Sequence, residues 1–136
     1  VSLMIVIKHE PATRRGRETS AMSELQHEPF LLYADTFTLN NLIVQAAHHA
    51  GFEPKVVCKS SQWEFMVKLV EANMGIALLP QVFAEQVGHL HIHQAQLVEL
   101  CINWHLSMAW NATVALSPAA QAWIDIINTH RQHIHI

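Results

Sequence analysis

Eleven histidines among 136 residues make metal chemistry the first question. The tightest group, His89, His91 and His93 in "HLHIH", recurs with period two, so on a strand the three imidazoles project to one side. Three imidazoles on one face suit zinc or nickel. Residues two apart on a strand, however, stand about 6 to 7 Å apart, whereas tetrahedral ligands lie about 2 Å from a single metal. No carboxylate stands close in sequence to orient the rings. His130, His133 and His135 near the C-terminus read the same way. The expectation is therefore no metal site and no cofactor.

Nucleophilic and phosphate chemistry are absent by pattern. The chain holds no Gly-x-Ser-x-Gly elbow and no glycine-rich loop after a strand, and it has only four glycines to allow close approach of a nucleotide. Glu24 and Glu28 are an acid pair in a loop or helical turn, where solvation is the expected fate. Arg14, Arg15 and Arg17, with Glu10 and Glu18 beside them, read as an exposed loop rather than a phosphate patch. An enzyme is not expected.

Two hydroxyl-rich segments, "ADTFT" and "KSSQ", do have chemistry to offer. Each stands at the predicted start of a helix, where unpaired backbone N–H groups and the positive end of the macrodipole can receive a small carboxylate or another polar group. In an open α/β sheet such starts lie beyond the carboxyl ends of strands, where ligands bind. The plainer alternative is that Asp35, Thr36, Ser60 and Ser61 only cap their helices.

The elements that would position these segments follow from periodicity. Leu3 to Ile7 is a β-branched run read as a strand, then a loop to about residue 22, a short helical turn around Ser23 to Gln26, and a strand "FLLY". Leu39, Leu42, Ile43, Ala46, Ala47 and Ala50 fall at helical spacing, with Asp35, Thr36 and Thr38 as candidate caps and Gly51 as the closing left-handed residue. "PKVVC" is the next strand. Ser61 and Glu64 form a capping-box pattern that starts a second helix at about Ser61, its face Trp63, Met66, Val67 and Val70. Asn73 ends that helix, and "GIALLP" is a strand apolar on both sides, which implies a sheet covered by helices with parallel neighbours. After Pro80 the pattern gives a short helix "QVFAEQ" ended by Gly88, and strands "HLHIH" and "LVEL" separated by polar "QAQ". A longer strand "INWHLSMAW" follows, and Ser117-Pro118 opens a last helix with the face Ala119, Ala122, Trp123, Ile126, Ile127 and His130.

Composition sets the outer bounds. At 51% hydrophobic and 14% charged the chain suffices for one domain with a real core. A formal charge of −3 offers no broad basic surface, so this chain is not expected to bind nucleic acid directly. Cys58 and Cys101 are too few and too far apart for a disulfide framework and read as buried thiols. The apolar start "VSLMIVI" is too short for a signal peptide, no run is long enough to span a bilayer, and the chain reads as cytoplasmic with no membrane contact. It enters a strand directly from Val1, so the beginning of a larger protein is expected to be absent.

"EPFLLY", "HHAGFEPKVV", "SSQWEFMVKLVEANMGIALLP" and "ALSPAAQAWIDII" resemble, in that order, the effector-binding domain of LysR-type transcriptional regulators, from about Leu3 to Asn128. The resemblance implies an α/β fold like that of type II periplasmic binding proteins, with a small effector between two subdomains. It implies that residues from about 20 to 100 form the second subdomain, that 3–7 and 104–110 are crossover strands, and that 117–130 is a C-terminal helix packing on the first subdomain. Most of that first subdomain and the winged helix-turn-helix that binds DNA have no counterpart here. The effector contacts it implies are Asp35, Thr36, Phe37 and Thr38 at one helix start, Ser60, Ser61 and Gln62 at the next, and Gly75 at a strand start. The family commonly has Gly where this chain has Asn73. The implied function is ligand sensing within a homodimer or tetramer that meets DNA through its N-terminal domain. A solute-binding protein of a transport system shares the architecture and is the rival reading, and a metal-dependent enzyme using the histidines is a third.

Overall fold

Phe30, Leu31 and Leu32 are consecutive and all buried, as are Ile76 to Pro80. A strand with both faces buried must lie inside a sheet covered on two sides, and these two strands are neighbours. A computed structural model of the chain describes residues 2–9, 16–98 and 107–130. Its strands are β1 (Leu3–Ile7), β2 (Thr19–Ala21), β3 (Pro29–Tyr33), β4 (Lys55–Ser60), β5 (Ile76–Pro80) and β6 (His93–Val98). Its helices are α1 (Thr38–His49), α2 (Trp63–Glu71), α3 (Gln81–Ala84) and α4 (Pro118–His130), with 3-10 turns at Met22–Leu25 and Glu85–Val87.

The strands form one six-stranded sheet in the order β2-β6-β1-β5-β3-β4. β3 runs parallel to both β4 and β5, whereas β1 is antiparallel to β5 and to β6. The expectation of parallel neighbours therefore holds for β3 and is corrected at β1, the one reversed strand. The connections β3-α1-β4 and β4-α2-β5 travel in opposite directions across the sheet, so right-handed crossovers put α1 and α2 on opposite faces.

The helix faces are those the spacing predicts. Leu39, Ile43, Ala46 and Ala47 of α1 and Met66, Val67 and Val70 of α2 are buried in one core with β1, β3 and β5. Half-buried Trp63 stacks on Phe83 of α3, ring centroids 4.9 Å apart and planes 10° apart. Gly51 (φ 90°) and Asn73 (φ 58°) both take the left-handed conformation that ends a helix.

Other expectations are corrected. α2 begins at Trp63 rather than Ser61, and its N-cap, Gln62, makes no side-chain capping bond, so the Ser61–Glu64 box does not form. "QAQ" is the middle of β6 rather than a loop, because the ladder to β1 and β2 needs only backbone groups. His89 and His91 lie in a turn and a bend ahead of β6, so the three histidines do not share a strand, and Glu99 and Leu100 lie outside the described residues. Of "INWHLSMAW", Ser107 to Trp110 are irregular, with no partner strand among the described residues, and the rest lies outside them. Cys58 is half-buried rather than buried, and Cys101 lies outside the described residues.

The chain divides into two compact units, residues 1–104 and residues 105–136. In the smaller, Asn111 Oδ1 accepts from Thr113 N at 2.9 Å, and Ser117 Oγ accepts from Ala120 N at 3.2 Å to start α4 as expected. Ile124 is the buried residue of α4, whereas Trp123 and Ile126 of the expected face are exposed. Spacing reveals an apolar stripe but not which part of it is covered.

Candidate functional site: two helix starts on one sheet edge

β3 and β4 end side by side, Tyr33 opposite Ser60, and the chain leaves both strands toward a helix. Ala34 N donates to Ser60 O at 3.0 Å, which ties the two exits together. Asp35, Thr36, Phe37 and Thr38 follow on one side and Ser60, Ser61 and Gln62 on the other, so seven of the eight predicted residues come together on one edge. All are exposed except half-buried Ser60.

The hydroxyls on this edge are not caps. The N-cap of α1 is Phe37 and that of α2 is Gln62, and neither helix has a side-chain capping bond. Ser60 Oγ instead accepts from Gln62 N at 3.1 Å, a local turn that fixes the loop before α2. The positive ends of two helix dipoles thus meet solvent, flanked by Thr36, Thr38 and Ser61.

Asp35 would oppose an anion here, but its carboxylate is engaged. Lys59 Nζ donates to Asp35 Oδ1 at 2.5 Å, and Asn40 Nδ2 donates to the same oxygen at 3.3 Å. Beneath Phe37, whose ring stacks on Tyr33 at a centroid distance of 5.9 Å, the Tyr33 hydroxyl and Asn40 Oδ1 are buried with no hydrogen-bond partner among the described residues. Burial pushes the Tyr33 phenol above its ordinary range and keeps it a neutral donor.

Gly75 is not brought to this edge. β5 runs parallel to β3, so Gly75, preceding Ile76, sits beside Pro29 at the amino end of the strands. A β-carbon there would lie 2.6 Å from the Pro29 carbonyl oxygen, and close packing is what the position requires. The carboxyl-end rule points instead to Gln81, just after Pro80. Reversed β1 starts at the same edge, Leu3 opposite Pro80, and Gln81 N donates to Ser2 O at 3.0 Å. Ser2, Lys59 and Gln81 are polar groups of this edge that the sequence reading missed. Position after a parallel strand could have found Gln81, but Ser2 needs the direction of β1, which spacing does not carry. Among the described residues no group of three His, Cys, Asp or Glu is placed to hold a metal ion.

Gathered on one edge of an open mixed α/β sheet, these helix starts offer unpaired backbone N–H groups to a small polar ligand. The chain belongs to the LysR substrate-binding domain family, whose model matches residues 2–132, and it is thus an effector-binding domain of the LysR type, with the type II periplasmic-binding-protein-like fold. It is 35% identical over 91% of its length to YwbI, an uncharacterized HTH-type transcriptional regulator of Bacillus subtilis, and spans 41% of that protein. In fold it is similar to the effector-binding domain of QuiR in complex with shikimate (TM-score 0.79, 17% identity, 98% of this chain and 63% of that one). It is also similar to the BenM effector-binding domain with its effector benzoate (TM-score 0.59, 20% identity, 71% of this chain and 45% of that one). The family is one of transcriptional regulators, not enzymes. No helix of the described residues is long and apolar enough to cross a membrane.

Proposed function

We propose that this chain is the ligand-sensing part of a cytoplasmic LysR-type regulator that meets DNA through an N-terminal domain, and that a small carboxylate or amino acid effector binds at Asp35 to Thr38 and Ser60 to Gln62. The observation that carries the reading is the pair of uncapped helix N-termini held side by side at the ends of β3 and β4. Carboxylate oxygens would accept from first-turn N–H groups and from Thr36, Thr38 and Ser61, while exposed Phe37 covers an apolar or ring portion. Shikimate and benzoate, bound by the two structural neighbours, are ligands of that description. Gly75 serves the site only through packing. Effector binding selects one geometry of a homodimer or tetramer and so changes the spacing of its DNA-binding domains. A solute-binding protein of a transport system is not favoured, because the family and the matched relative are transcriptional regulators.

The test is a thermal-shift screen of small carboxylates and amino acids on the complete effector-binding region, shikimate and benzoate included. A ligand at about 100 times its Kd adds about 2.7 kcal/mol, a rise of several degrees. The combined variant Thr38→Ala, Ser61→Ala is expected to fold normally and to lose at least tenfold in affinity. A carboxylate that stabilises wild type and variant equally would place the site elsewhere.

A further inference from the structure

A second polar concavity lies at the opposite end of the sheet. β1 ends at Ile7 opposite His93, the first residue of β6, so Lys8 and His9 run beside the chain that leads into β6. Lys8, His9, His91 and His93, with Leu90 and Ile92 as an apolar floor, line an open cleft of about 460 Å³. Lys8 Nζ donates to the His91 carbonyl at 3.1 Å, which holds the ammonium at the cleft and leaves it two further N–H donors.

The described lining carries basic side chains only, in a chain whose net charge is −3. Among the described residues no carboxylate lines it. Of the acids near it, Glu71 on α2 feels Lys8 and His89 but accepts from Lys68 Nζ at 2.7 Å. On the far side of His93, the neighbouring Arg17 is bonded to Glu24 at 2.6 Å. The imidazoles are not gathered to share a metal, since no such group occurs among the described residues. What they share is the ability to become N–H donors on both nitrogens when protonated, beside an ammonium that already is one.

We infer that this cleft binds a small doubly charged oxyanion of the sulfate or phosphate type, held by Lys8 and by ring N–H groups of His9, His91 and His93. A tetrahedral dianion offers enough acceptor oxygens for several converging donors, and charge-assisted bonds are the strong ones. The site is independent of the edge formed by α1 and α2, at the other end of the strands, so either proposal can fail without the other.

Sulfate is the probe, because it is a tetrahedral dianion with four acceptor oxygens. Sulfate titrated into the protein at about pH 5.5 is expected to shift the ring resonances of His9, His91 and His93 saturably in NMR spectra. Binding is expected to vanish in His91→Gln, His93→Gln, whose exposed positions leave the fold intact. Sodium chloride at matched ionic strength should produce no saturable shift. Two results would overturn the assignment: shifts that chloride reproduces, or saturation that survives in the double variant.

Discussion

A side chain at position 75 would press on a carbonyl oxygen that cannot turn away, because Pro29 begins β3 and Phe30 is already paired with Ile76. Gly75→Ala is therefore expected to lower the unfolding free energy by about 1–3 kcal/mol in urea titrations, with ligand affinity unchanged per folded molecule. Glu24 is a contrasting case, where charge rather than space decides. Its carboxylate accepts from Ser20 Oγ at 2.7 Å, Ala21 N at 3.0 Å and Arg17 Nη1 at 2.6 Å, and these bonds, the Ser20 hydroxyl first, hold its pKa at about 2 instead of 4.5. The folded value lies below the unfolded one, so the stabilisation is complete above about pH 4.5 and disappears as the pH falls toward 2. Glu24→Gln should cost about 1–2 kcal/mol at neutral pH, discounted for partial exposure, and the gap to wild type should close in acid. Neither role was legible beforehand. Gly75 was named as a ligand contact only through the family resemblance, and Glu24 was read as solvated because its partners are Arg17 and residues of β2, a strand too short to leave a pattern.

Between elements, the stacked rings of Trp63 and Phe83 fasten α2 to α3 across β5. A double-mutant cycle with Trp63→Ala and Phe83→Ala is expected to give a coupling of about 0.5–1.5 kcal/mol, and additive losses would show that the rings act separately. α1 and α2 are the elements most faithfully written in the sequence, since their buried faces repeat at three and four and their ends fall on Gly51 and Asn73, where the left-handed backbone is needed. Their starts are not. Hydroxyl and carboxylate residues before a helix signal a cap, yet here Asp35 pairs with Lys59 across two strands and Ser60 turns back on its own loop, interactions that exist only after β3 and β4 have docked. β6 was hidden for a related reason. Gln94 and Gln96 read as loop residues, but the Gln94 side chain donates to Ala84 O at 2.9 Å and the strand is made by its two backbone ladders.

In the sheet as a whole, burial falls from the middle to the rims, with β5 buried throughout and rim strand β4 largely exposed. Amides of β1, β3 and β5 are expected to exchange with deuterium only on global unfolding, and those of β2 and β4 on the order of 100-fold faster; uniform protection would argue against this gradient. Lys59 joins the rim to the edge proposed to take the ligand. It belongs to β4, whose outer backbone has no neighbour among the described strands and whose Val56 and Val57 are exposed. Such a strand invites stacking by other chains, and Lys55 and Lys59 at its ends are the charges that discourage it. The same Lys59 ammonium offsets Asp35 beside the two helix starts. Loss of the Lys59 charge, by substitution or acylation, would thus leave the rim with Lys55 alone and turn the neighbouring edge acidic, so resistance to aggregation and the sign of ligand proposed for that edge depend on a shared side chain.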